Sequence, residues 1–351
     1  MEKTKNALSK NRIPWIDNAK AFAMLFIVLG HTLADGKVYF YLYSFHVILF
    51  FFLSGLTFSS RKKPWEFIWG KFKGIMIPYY IFSAISIVIY LFIGNYAEKA
   101  SGRAESSLNL RDCIIGMFFA NRSNGMMKWN TSLWFLPCLF CLLLVFYLID
   151  KIILKSKKPV AYIITLICLT ALMLTNMIWL KLINLPFGIE TVINVSPFFM
   201  AGICISRFKL YLRLNERIKP LIRALIAIIF IAAGFWISLK NGAVDIAKSH
   251  FGNSIWLYFV TAILGVAGWS LISGLFENKV FSYVGSNTMP ILLMHKFPIM
   301  FILTVFTKFT PEGNVFICLP IAAAVMAMCL GVGWLIEKIF PFVIGKSKKL
   351  T

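Results

Sequence analysis

A few ionisable side chains set inside apolar stretches are the residues of this chain best placed to do chemistry. Lys20 and His31 lie in the stretch IPWIDNAKAFAMLFIVLGHT, eleven residues apart. On a helix, eleven residues close to within ~20° of three full turns, so the two side chains share one face, ~16 Å apart along the axis. That face carries a cation at one end and, at the other, an imidazole able to exchange a proton near neutral pH. His46, in YSFHVILFFFLSGLTF, falls at a depth similar to that of His31 if the two stretches are neighbouring helices, so both histidines can line one polar cavity. Ser54-Gly55 would let those helices approach closely. His295, followed by Lys296, lies near the middle of another apolar stretch, where a charge needs a partner or a water-filled cavity. Asp35 comes four residues after His31 and can orient its ring if the helix continues that far. Trp134, at a helix end, fits either an aromatic belt or the wall of a site.

These residues need elements to hold them, and the composition says which kind. The chain has 351 residues, 59% of them apolar and 14% charged, with a mean hydropathy of +0.79. Soluble chains are nearer half apolar and a quarter charged. The balance excludes a soluble globular enzyme, a disordered chain and a fibrous protein. The apolar residues come in runs of about 20, the length a helix needs to cross ~30 Å of hydrocarbon, and helices satisfy their own backbone groups there. The expected fold is therefore all-α: a polytopic transmembrane helix bundle of about ten spanning helices. The segments read as 14–34, 38–58, 74–94, 132–150, 159–179, 186–206, 221–239, 254–276, 286–307 and 315–343. A shorter apolar piece, 110–120, is placed at a membrane surface, before the polar stretch Asn121 to Thr131. The first run is not read as a cleavable signal peptide, because Asp17, Lys20 and His31 interrupt it. Residues 1–351 read as a single domain with a long outer loop at about 95–131 and no fused soluble domain.

The net charge of +22 would suggest nucleic acid in a soluble protein. Here, with an internal N-terminus, 24 of the 36 Lys+Arg fall on the inner side and 10 on the outer, with Lys20 and Lys296 within segments. That bias is the positive-inside rule; it places both termini in the cytoplasm and leaves no nucleic-acid footprint. The seven cysteines are irregularly spaced, and Cys138 and Cys141 read as small packing residues in an apolar helix, not as a metal site. The loop carboxylates Glu98, Glu105 and Asp112 read as solvated charges.

The motifs, taken in order, resemble the acyltransferase 3 family of integral membrane acyltransferases, and most closely its fucose 4-O-acetylase-like branch. That family carries a basic residue, ten intervening residues and a histidine in its first helix, matched here by Lys20 and His31. A His-x-x-x-Phe-Phe-x-x-Ser-Gly pattern follows, matched by His46, Phe50, Phe51, Ser54 and Gly55. Asp17-Asn18-Ala19-Lys20, Ile77-Pro78-Tyr79, Leu133-Trp134-Phe135-Leu136, Pro197-Phe198-Phe199 with Gly202, and Tyr283 through Thr288 with Leu293 and His295 follow in the right order. The resemblance spans about residues 13–340. The family often has two arginines three apart before the proline of the third helix; the matching positions here are Lys71 and Gly74, with Lys73 between.

The resemblance implies an O-acyltransferase of a bacterial inner membrane. Its donor would be cytoplasmic acyl-CoA, most often acetyl-CoA, and its acceptor a hydroxyl of a surface or exported glycan. On that basis His31, Lys20 and His46 are candidate catalytic residues, Lys71 and Lys73 would hold the donor's phosphates, and Trp134, His295 and Asp35 would meet the acceptor. Lysine binds phosphate as a point charge, without arginine's bidentate fork. A sugar hydroxyl is a weak nucleophile that needs a base, which His31 can supply; the sequence leaves open whether His31 is a base only or is itself acylated. A transporter or flippase of a glycan or lipid-linked precursor would also need mid-depth charges, but no CoA. A membrane anchor or assembly partner would turn over nothing.

Overall fold

The computed structural model describes residues 13–94, 108–156, 158–305 and 314–346, and the described residues form helices and connecting turns. Glu98, Glu105 and the rest of residues 95–107 of the long loop lie outside them. Nine helical stretches among the described residues are long and apolar enough to cross a membrane. Helix α1 is Pro14–Leu33 and α2 is Lys37–Leu56. Proline at N1 starts α1 without losing a needed donor, and Asp17 in its first turn complements the helix dipole. Ala34 at φ 61° and Gly36 at φ 103° turn the chain sharply between the two helices. The result is a tight antiparallel hairpin that sets the end of α1 beside the start of α2.

The third span begins earlier than expected. It runs from Pro64 to Gly94 as α3 (Pro64–Lys71), a π-helical turn (Phe72–Met76), α4 (Ile77–Ile89) and a second π turn. Pro78 lacks the N–H that would bond the carbonyl four residues back, and the first π turn sits at that defect. The short apolar piece is α5 (Leu110–Phe119), whose first turn is capped by the Asn109 side chain accepting from the Asp112 N–H. Then come α6 (Phe135–Ile152), α7 (Pro159–Thr175), α8 (Ile189–Arg207), the short amphipathic α9 (Leu210–Arg217), α10 (Pro220–Asn241) and α11 (Ile255–Ser273).

The expected segment 286–307 is not one unbroken helix. After α12 (Lys279–Ser286) the chain forms α13 (Thr288–Met294) and α14 (Lys296–Val305), which meet at His295, a residue with helical dihedrals whose N–H bonds the Ile291 carbonyl and whose carbonyl accepts from the Ile299 N–H. Pro298 has no N–H for the Met294 carbonyl, so one bond of the ladder is missing there. The bundle closes with α15 (Val315–Ile339).

Close helix crossings hold the centre together. On α2 and α8, Gly55 faces the Phe199 carbonyl and Gly202 faces the Phe52 carbonyl, each too near for a Cβ. Gly285 likewise lets α12 lie against the Asp17 backbone of α1. Helix α1 is buried along most of its length, while Lys20 and His31 remain half-buried on it. Asn18 donates from its side-chain amide to the Ser273 and Phe276 carbonyls, pinning α1 to the end of α11.

Candidate active site

At the His31 end of the bundle a small cleft, with a cavity volume of about 40 Å³, is lined by His31, Tyr43, His46, Arg122, Ser132, Trp134 and Asp245, among others. The hairpin of α1 and α2 supplies the first three. Tyr43 and His46 are three residues apart on α2 and so share a face, with their rings 4.9 Å apart edge to face. Tyr43 Oη lies 3.3 Å from His31 Nδ1. His46 is 4% exposed, and its Nδ1 donates to the Leu42 carbonyl at 2.5 Å.

The opposite side of the His31 ring is held by two distant parts of the chain. Ser132 Oγ lies 3.3 Å from His31 Nε2 and 3.1 Å from His295 Nε2. The two imidazole rings stack at 5.3 Å with 28° between their planes. His295 sits where α13 meets α14, fully buried, with Nδ1 2.7 Å from the Ile291 carbonyl. Ser132 belongs to the turn before α6. Asn130 anchors that turn by donating to Ser86 Oγ at 3.3 Å and to the Leu293 carbonyl at 3.4 Å. The same Asn130 accepts from the Ser132 N–H through its Oδ1.

Trp134 presents a buried indole to the cleft. Across the mouth Arg122 and Asp245 form an ion pair at 3.2 Å. Asp245 is held by paired backbone hydrogen bonds with His250 in a tight loop, and Thr191 Oγ1 donates to the neighbouring Ile246 carbonyl.

Several expectations change. Helix α1 ends at Leu33, and Asp35, beyond the left-handed Ala34, is exposed; it does not form the helical pairing with His31. Tyr43 and Ser132 are that ring's partners instead. Lys71 and Lys73 do not sit side by side. Two residues apart, they point to different sides of the helix. Lys71 is half-buried with Nζ 5.5 Å over the Phe67 ring, and Lys73 is exposed with Nζ 5.1 Å over Trp69. Lys73, not Lys71, lines a second cleft at the other end of the bundle, together with Lys62, Lys346, Gly74 and Phe340. There Lys346 Nζ bonds Asn287 Oδ1 at 2.8 Å and Glu337 Oε2 at 2.6 Å.

Tyr43, Ser132, Arg122 and Asp245 were not singled out as site residues from the sequence. Tyr43 was within reach, three residues before His46 on one helix face. Ser132 and Asp245 carry no local signal, since only the tertiary contacts give them meaning. Among the described residues no group of three His, Cys, Asp or Glu side chains is arranged as metal ligands.

Apolar spans around a cleft in which two imidazoles share one hydroxyl define a polytopic membrane protein with a polar site inside its bundle. The chain belongs to the acyltransferase 3 family: the family model, an acyltransferase domain, matches residues 13–338. It is thus a membrane acyltransferase, working with an acyl donor and an acceptor in the bilayer. No curated protein and no solved structure matches it.

Proposed function

We propose that the protein is an O-acyltransferase that moves an acyl group, acetyl in the first instance, from cytoplasmic acyl-CoA to a hydroxyl of a surface or exported glycan in a bacterial inner membrane. The observation that carries this reading is His31. Its ring is half-buried in a cleft walled by Trp134 and the Arg122–Asp245 pair, with one nitrogen facing Tyr43 Oη and the other Ser132 Oγ. An imidazole so placed can take the proton of a sugar hydroxyl as it attacks the thioester carbonyl. The proton ends on the thiol of the released CoA, so atoms and charge balance. Lys20, three turns away on the same face of α1, supplies positive charge along the route between the two ends of the bundle.

The lysine-lined cleft at the opposite end suits the polyanionic nucleotide end of CoA, and the excess of Lys+Arg on that side supports its facing the cytoplasm. Lys73→Ala should weaken acetyl-CoA binding more than Lys71→Ala, and the loss should shrink as salt rises, since exposed charges are screened over ~8–10 Å at 0.1–0.15 M. Titration calorimetry of both variants at two salt concentrations reads this. Equal affinities in Lys73→Ala and the unaltered protein would move the donor site elsewhere, with Arg207 and Arg213 the next candidates.

The direct test is incubation of the purified protein in detergent with labelled acetyl-CoA and a panel of bacterial glycans. Label on a glycan hydroxyl is expected. Glycan binding without label transfer to any acceptor would favour a transport role.

A further inference from the structure

The protons of the His31 cluster follow from its partners. His295 Nδ1 lies 2.7 Å from the Ile291 carbonyl oxygen, which only accepts. That nitrogen therefore carries a proton. A neutral imidazole then offers its other nitrogen, Nε2, as a lone pair. Ser132 Oγ is 3.1 Å from that Nε2, so the single hydroxyl proton of Ser132 points there. What Ser132 Oγ turns to His31 Nε2, 3.3 Å away, is a lone pair. Two lone pairs do not bond, so His31 Nε2 carries the proton. His31 Nδ1 is then bare, and it faces Tyr43 Oη, a donor, at 3.3 Å.

We infer that Ser132, backed by His295, is a positioning residue that holds His31 as the Nε2–H tautomer, so that Nδ1 is the atom that receives the acceptor's proton. The chain of donors runs in one direction: Tyr43 O–H to His31 Nδ1, His31 Nε2–H to Ser132 Oγ, Ser132 O–H to His295 Nε2, and His295 Nδ1–H to the Ile291 carbonyl. From His31 Nε2 to the Ile291 carbonyl, reversing one link alone leaves two donors or two acceptors facing each other; Tyr43 Oη, which is also hydrogen-bonded to Tyr39, follows whichever proton His31 Nδ1 carries. The last link is backbone, which cannot reverse, so the direction is set by the fold. Tyr43 marks the side of the ring from which the proton arrives. When Nδ1 gains that proton, the Nε2–H bond to Ser132 becomes charge-assisted and stronger. The positive charge is then met by a hydroxyl already oriented by His295, with no side chain needing to turn. His295 follows α13 with its backbone still helical, and from there its imidazole reaches Ser132.

The tautomer assignment stands on the geometry alone; its catalytic consequence rests on the O-acyltransferase reading. Histidine-selective ¹⁵N labelling suits the test, because the chain has four histidines. In the unaltered protein, long-range nitrogen–proton correlation should show His31 protonated at Nε2 and bare at Nδ1. In Ser132→Ala the His31 signals should become a mixture of tautomers, and kcat should fall about tenfold, one hydrogen bond's worth, with KM for both substrates nearly unchanged. Ser132→Thr keeps the hydroxyl and should restore both tautomer and kcat, which a loss of packing would not predict. Nδ1–H at His31 in the unaltered protein would overturn the inference, and so would a Ser132→Ala protein whose tautomer and kcat are unchanged. Absence of any acyl transfer alongside the expected tautomer would sink the proposed activity and leave the proton assignment standing.

Discussion

Replacing His31 with alanine is expected to cut glycan acylation by about 10²–10⁴-fold, the usual worth of general-base assistance, while the protein still inserts and still binds acetyl-CoA. The donor cleft lies at the other end of the bundle, lined by Lys62, Lys73 and Lys346, and shares no residue with the His31 cleft. A base lost at one end therefore leaves donor affinity intact. His31 is half-buried with partners at both ring nitrogens, so its removal takes away a proton acceptor without opening a large core void. Lys20→Arg should keep more activity than Lys20→Ala, because arginine preserves the charge. Transfer rates in detergent, beside a donor-binding measurement on the same preparations, decide the matter. Near-normal turnover in His31→Ala would pass the role of base to His46 or His295.

The second large effect is structural. Gly202→Val is expected to destabilise the bundle by about 3 kcal/mol or more, at or beyond the upper end of ordinary overpacking. A Cβ at Gly202 would meet the Phe52 carbonyl of α2, and one at Gly55 would meet the Phe199 carbonyl of α8. A backbone carbonyl inside a helix cannot rotate away as a side chain can, so the two helices must separate. Helix α2 also carries Tyr43 and His46, so any shift reaches the cleft. Size-exclusion chromatography of a fluorescent fusion should show the monodisperse peak lost or its melting temperature lowered. Gly331→Ala is the control, since no atom lies within 4 Å of a Cβ there, and alanine in an exposed helix is favoured by about 1 kcal/mol over glycine. A Gly202→Val protein as stable as the control would mean that α2 and α8 are not in close backbone contact.

Much of this protein is written in local pattern. Runs of about 20 apolar residues announce spanning helices because hydrocarbon thickness and helical rise are fixed, and nine such stretches are present among the described residues. The common face of Lys20 and His31 follows from helical period alone, and the ordered motifs carry the family. The ninth expected segment shows where pattern stops. Its hydropathy is continuous and Pro298 removes only one backbone bond, yet nothing in the run says that its mid-span histidine meets Ser132.

Tertiary structure alone decided which polar groups met. His31 and Ser132 are 101 residues apart, and Ser132 and His295 are 163 apart. No periodicity links them; they come together because helices cross closely at Gly55, Gly202 and Gly285, and because the buried Asn130 ties the Ser132 turn to α13. Asp35 shows the converse. Four residues from His31, it had the right spacing for a helical pair, yet the left-handed Ala34 ended the helix first. Lys71 and Lys73 parted for a related reason, since neighbours in sequence two residues apart on a helix face different ways. Helical spacing sets which residues share a face over a few turns; the partner each face meets depends on backbone approach and on satisfying every buried polar group, and both are properties of the assembled bundle.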